Sequence, residues 1–346
     1  MTLQSLIPQV TPTSKPVRWL VAAALLCLAA QAQPTRVRIG AIEFFGASGH
    51  DLASLRTALP VHEGSEVNAQ EMNELLGRIR TVAKATDVAL VCCDRRSPEE
   101  SWTIFIGWPD GPGDGFRLSA APHARLRLPA GGLALAESSW AVWQEAQAAG
   151  MSDTVKPSSD LDIKLRETEL SIRHYTMRHG EQLRRILRNS GDPQHRAIAA
   201  HFLSYGRRSR VLVHALVAAC HDPDEGVRDN ATRSLMVLLR TDMRVTAWVP
   251  ASELVAMLHS GHWSDRQRAA ILLLNLSEEQ NPKLLSEIRG RAWPMLLEMA
   301  RWRGADQAGP ARQLLGRAGG VDEPRLQVLL RAGSVDALLE AVSTIH

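Results

Sequence analysis

Six histidines crowd one stretch of the sequence: His195, His201, His214, His221, His259 and His262. Imidazole is a metal ligand and a general base, so this stretch is the first place to look for chemistry. A zinc site needs converging ligands at fixed spacing, and the sequence holds no H-E-x-x-H and no zinc spacing of cysteines. These histidines therefore read as capping, surface and core residues, and neither a metal nor a cofactor is expected. Cys220 and His221 are adjacent, but a thiol nucleophile needs its base beside it in space together with an oxyanion hole. No G-x-S-x-G elbow, P-loop or dinucleotide-binding glycine fingerprint occurs. The aspartates of "DGPGDG" (110–115) lack calcium-ligand spacing and read as a tight turn. No catalytic residue is expected.

A second set of charged residues recurs at intervals. Asp192 with Arg196, Asp222 with Arg228, and Asp265 with Arg268 fall in three alignable segments, 190–206, 220–239 and 262–276. Each segment has an Asp in a turn, an Arg near a helix start, then small or apolar residues at helical spacing. A recurrence every 30–45 residues or so, built from helix pairs, is the signature of an α-solenoid. In "DPDEGVRDNA" (222–231), Pro223 suits the turn and first helical positions. Val227 and Ala231 face a neighbouring helix, and Arg228 can pair with an Asp of an adjacent repeat. This element resembles the turn and second helix of a HEAT repeat. The resemblance implies a HEAT-like superhelical array over 166–346, with four or five repeats and a degenerate last one.

Residues 36–108 read differently. "VRIGAIEFF" (37–45) carries β-branched and aromatic residues near period two. Asp51 can cap a helix through Leu52, Leu55, Arg56 and Leu59, and Asn68 a second one with Met72, Leu75, Leu76, Ile79 and Val82 on one stripe. "DVALVCC" (87–93) and "WTIFIGW" (102–108) read as strands about the turn "DRRSPEE". The order is β-α-α-β-β. With Ile42, Phe44 and Gly46 closing the first strand and Gly64 before the second helix, the segment is similar to a POTRA domain. That likeness implies a small sheet whose edge can take up an extended peptide. It does not extend to barrel assembly, since only one unit and no barrel is seen. Phe44 and Phe45 should point to opposite faces of the sheet, one of them toward the helices.

Residues 109–165 form a connector with one helix at 133–150 carrying Trp140 and Trp143. The fold class expected is thus multidomain: a small α+β N-terminal domain followed by an all-α solenoid. Ahead of both, Lys15 and Arg18 precede the apolar run "WLVAAALLCLAA" and the motif Ala30-Gln31-Ala32, the pattern of a secretory signal peptide over 1–32. Twelve apolar residues are too few for a span, which takes roughly 20. An uncleaved anchor or a buried helix is the competing reading. No integral membrane span is expected in the mature chain. Leu26 before Cys27 argues against lipidation. Of the remaining cysteines, pairing of Cys92 or Cys93 with Cys220 is left open.

The 346 residues are 45% hydrophobic, enough for about two domains, and carry a net charge of only +3. So small a charge does not point to nucleic acid. Tryptophan outnumbers phenylalanine and tyrosine together, nine against five plus two. Trp and Arg anchor interfaces, which makes Arg291, Trp293, Arg301 and Trp302 the candidate contact patch. The N-x-S/T triplets at Asn230 and Asn275 fall inside expected helices and read as coincidence. The function expected is an exported adaptor of a Gram-negative periplasm or cell envelope, binding another protein or peptide across the solenoid groove or the sheet edge. The alternatives are an enzyme or lyase-like accessory with a site at the junction of the two halves, and a structural envelope component. Partner identity and oligomeric state are not encoded in any motif.

Overall fold

The computed structural model describes residues 36–92, 101–110, 115–149 and 159–343. The expected signal peptide, Cys93 and the turn at 94–100 lie outside them. The chain begins with β1 (Arg36–Phe45), α1 (Leu52–Ala58), β2 (Glu66–Asn68), α2 (Met72–Ala83), β3 (Asp87–Val91) and β4 (Trp102–Gly107). Helices follow: α3 (Gly132–Ala148), α4 (Ser159–Asn189), α5 (Pro193–Leu203), α6 (Arg210–Ala219), α7 (Glu225–Thr241), α8 (Ala251–Met257), α9 (Trp263–Leu276), α10 (Pro282–Arg291), α11 (Trp293–Ala300), α12 (Ala305–Ala318), α13 (Glu323–Ala332) and α14 (Val335–Ser343). A mixed α+β start thus gives way to an all-helical remainder. Among the described residues no helix is long and apolar enough to cross a membrane.

Two compact units form. One takes in the described residues within Thr11–Gly115, together with His259–Trp263 and Ala292–His346. Its four-stranded sheet runs β2-β1-β4-β3, with β1 antiparallel to β2, parallel to β4, and β3 antiparallel to β4. Asp51 caps α1 through the Ala53 and Ser54 N–H groups, as its position suggests. Asn68 instead caps a short 3-10 turn leading into α2. The three-residue β2 adds a strand to the expected β-α-α-β-β order. Its pairing with β1 follows the Gly64 turn, at φ 86°, and no apolar run marks it in the sequence.

The two faces of this sheet are both buried. On one, Ile42, Phe44, Val88, Ile104 and Ile106 pack against Leu59, Leu75 and Ile79 of the α1–α2 side. Phe44 stacks on Trp108 at 6.3 Å, with the Arg56 guanidinium 4.6 Å above its ring. On the other, Phe45 meets Trp302 edge-on at 6.2 Å, and Phe105 meets Trp302 at 4.8 Å and Trp263 at 5.3 Å. Strands covered on both sides need apolar residues at successive positions, which is why "TIFIG" is continuous where a half-solvated strand alternates. Polar ties fix the second layer: Glu298 accepts from the Gly46 N–H at 3.0 Å, Glu43 from the Arg303 N–H at 2.9 Å, and Glu63 pairs with the Arg303 guanidinium. That guanidinium holds the Glu63 carboxyl below its usual range.

The other unit holds Phe116–Leu258 and Ser264–Arg291. Here α4 packs on α5, α5 on α7 and α6 on α7, while α3 lies against α4. The α5–α7 contact is stitched by side chains bonding across to helix carbonyls. Asn230 donates to Ala197 O at 3.2 Å and Ser234 to Ala200 O at 2.8 Å. Small alanines at 197, 200 and 231 let the two backbones approach.

Candidate functional site

Of the recurring Asp/Arg residues, Asp192 and Asp222 stand in helix-joining turns and Arg196, Arg228 and Arg268 within α5, α7 and α9, while Asp265, expected in a turn, lies in the first turn of α9. Asp192 caps α5 by accepting the Gln194 N–H at 2.9 Å, and Asp224 caps α7 through the Val227 N–H at 3.0 Å. Four residues after each cap stands a buried arginine. Arg196 binds both Asp222 oxygens at 2.7 Å and reaches back to Ser190 O at 2.8 Å. Arg228 binds both Asp265 oxygens at 2.9 and 3.0 Å and reaches back to Asp222 O at 3.0 Å. Each arginine therefore satisfies the turn before its own helix and grips the carboxylate of the next Asp/Arg segment. A buried guanidinium needs such a partner. Arg268 sits differently: its Nε donates to Asp229 at 3.1 Å, alongside Arg233 at 2.7 Å. In α9 the fully buried arginine is Arg266, which the sequence pattern does not single out.

The histidines do not converge. His195 accepts the Leu128 N–H on Nδ1 at 3.0 Å, so its proton resides on Nε2, toward Asp192. His221 lies between Arg117 O at 2.9 Å and a Glu253 carboxylate oxygen at 3.0 Å, under the Phe116 ring. Both residues fasten the extended strap 116–129, which also pairs Ala124 with Ser190 and ends with Tyr175 donating to Pro129 O at 2.8 Å. His214 is exposed, and His259 faces Asp110 at 3.7 Å. Among the described residues no group of three or more His, Cys, Asp or Glu could hold a metal. Cys220 is a free, buried thiol, its pKa driven up by burial and then by Asp265, so it pairs with neither Cys92 nor Cys93. Cys92 is disulfide-bonded.

Of the four contact candidates, Trp302 is 1% exposed and has no surface to offer. The Phe45 and Phe105 rings pack edge-on against its indole. Trp293 packs half-buried on the cluster of Val321, Leu326 and Leu338. Arg291 pairs with Glu287 at 3.0 Å, and Arg301 is exposed after α11.

A polar recess sits elsewhere. Trp140 and Trp143, three apart on α3, face Ile198 and His201 of α5 and Asn230 of α7 across a slot. The slot holds about 30 Å³ of free space, room for a water or a side-chain tip. Asn230 is 2% exposed. Its amino group is committed to Ala197 O, which leaves Oδ1 buried with no partner. Flipping the carboxamide would only set its oxygen against that carbonyl. Beside it, burial and the Arg233 charge push the His201 pKa down to about 4, so the imidazole is neutral at neutral pH. The arrangement is an aromatic-walled recess with one acceptor that no other group among the described residues reaches. The sequence signals it only by the Trp140/Trp143 spacing and the α7 asparagine. A broader cleft of about 410 Å³ lies at the ends of α7 and α9, lined by Leu239, Arg240, Met243, Thr246, Asn275 and Glu278.

Comparison of the chain with protein-family models, curated proteins and solved structures yields no match.

Proposed function

We propose that the protein is an exported adaptor of a bacterial envelope, in which a POTRA-like module and a HEAT-like array hold an extended segment of a partner protein. The segment lies along the α5–α7 face, with one side chain entering the slot between Trp140 and Trp143. The observation that carries the reading is the Asn230 carboxamide oxygen. A buried acceptor that no protein donor reaches costs about 1–3 kcal/mol, and a donor at the tip of the entering side chain supplies it. The slot is far below the 300–1,000 Å³ or so of a small-molecule site, so it suits a side-chain tip. The HEAT-like reading is supported by the device, seen at α5 and at α7, of a capping Asp, an Arg four residues on, and a forward bond to the Asp of the next segment. A second contact is available at β3. It is an edge strand, and no backbone bond reaches residues 88–91 from its free side among the described residues.

The test is selection from a displayed library of random peptides, followed by titration while tryptophan emission is read. Selected peptides should shift the emission and bind Asn230→Leu at least tenfold more weakly. If none are selected, or those selected bind Asn230→Leu and Trp143→Ala as tightly as the unsubstituted chain, the slot is not the site.

A further inference from the structure

The slot walled by α3, α5 and α7 selects among side-chain tips. Asn230 is 2% exposed, and its amino group is held by Ala197 O at 3.2 Å. Only Oδ1 is left on offer, so an entering group has to donate. No donor among the described residues reaches that oxygen. Ser139, which also lines the slot, gives its hydroxyl proton to Leu135 O. Most of the remaining wall is apolar, from Trp140, Trp143 and Ile198.

A charged tip is rejected. No carboxylate lines the slot, so an ammonium or guanidinium would give up its water for no counter-charge. Burial and then the Arg233 charge already keep the proton off His201, at a pKa of about 4, and they oppose any other cation there in the same way. A carboxylate brings acceptors only and sets them against Oδ1. A hydrocarbon tip leaves Oδ1 unpaired. Tyrosine, tryptophan and histidine donate, but each brings a ring to about 30 Å³ of free space. A hydroxyl has one proton to give. A carboxamide has two, and an oxygen besides. The neutral His201 ring on the same wall carries one N–H and one bare nitrogen with which to meet them.

We propose that the side chain seated between Trp140 and Trp143 is a primary carboxamide, that of a glutamine or asparagine in the partner's extended segment. This rests on the slot being the contact site. The amide N–H donates to Asn230 Oδ1, and the rest of the carboxamide bonds to the His201 ring.

The probe is a library of displayed random peptides retained by the full chain. One position should carry Gln or Asn in at least ten times its proportion in the starting library. In a retained peptide made synthetically, replacing that residue by Met, Glu or Lys should each weaken binding at least tenfold, read by tryptophan emission. On the Asn230→Leu chain the carboxamide and Met peptides should bind about equally. Both are measured on one protein, so a loss of stability in that variant cancels from the comparison. Peptides that are weakened by Asn230→Leu but carry Met, Leu or Lys at the position, or lose nothing when Met replaces the amide, overturn the proposal and leave the slot as the contact site. Oδ1 then holds a water only. A preference for the amide over Met that survives Asn230→Leu also overturns it. If no peptide is retained, or those retained are indifferent to Asn230→Leu, the slot is not the contact site and the proposal falls with it.

Discussion

At the scale of single residues, burial decides what the charged and polar groups can do. Ala231 has no exposed surface and lies on α7 where α5 approaches. Ala231→Asp places an unpaired carboxylate there and should cost about 3–5 kcal/mol, read as a lowered urea midpoint. An unchanged midpoint would mean that the packing at 231 is loose. Arg228 makes the complementary case, since its removal takes from the buried Asp265 carboxylate both bonds that the guanidinium gives it. Arg228→Met should be destabilising by about 3–5 kcal/mol, while Arg228→Met with Asp265→Leu should recover most of that loss. His201 gives the pH dependence. Its pKa is lowered in the folded state from 6.5 to about 4, mainly by burial. The unfolded chain therefore takes up the proton first. The stabilisation is complete above pH 6.5 and is lost as the pH falls toward 4. The expected loss is on the order of 2 kcal/mol, less than the full shift because the ring keeps some contact with solvent. Urea melts of the unsubstituted chain and His201→Gln at pH 7 and pH 4.5 check this, and the variant should lose less stability on acidification.

At the scale of elements, patterns local in the chain were legible and those formed by distant approach were not. The apolar runs at 37–45 and 102–108, the Asp51 cap and the stripe of Met72, Leu75 and Ile79 each specify an element from within about ten residues, and those elements form. Val82, on the same stripe, is 43% exposed, and Ala83 is buried in its place. The row ends there because Lys84 turns left-handed, at φ 49°, and closes α2. The strand β2 was missed because three residues held by a partner strand carry no periodicity of their own. The slot at Asn230 was missed for a related reason. Its walls come from α3, α5 and α7, and an asparagine is judged satisfied or not only when its neighbours are known. Gly107 shows the same dependence on distant chain. A Cβ there would run into the Phe45 ring and stand 2.7 Å from Gly261 O. Gly107→Ala should destabilise the sheet by about 2–4 kcal/mol, visible as a lower melting temperature. A neutral result would show that the 259–263 segment yields easily.

At the scale of the molecule, the order of the chain and the order of packing differ. Residues 36–108 read as a self-contained domain, yet the second face of their sheet is closed by the Trp302 indole, and Trp263 packs on Phe105. Phe45 and Phe105 have no exposed surface in the whole chain. Severed from 292–346, the sheet would present both rings to water at about 1.5–3 kcal/mol each, and a domain of some 75 residues has little stability to spare. Residues 36–110 expressed alone should therefore bind an apolar dye and melt without a cooperative transition, and Trp302→Ala in the full chain should cost about 3–5 kcal/mol. Supplying 292–346 in trans should suppress the dye binding. A sharp melt and no dye binding by the isolated fragment would show that the α1–α2 layer alone carries the sheet, and that its second face is free to be uncovered. In the full chain that face is already filled, so the sheet offers its edge strands and not a second face.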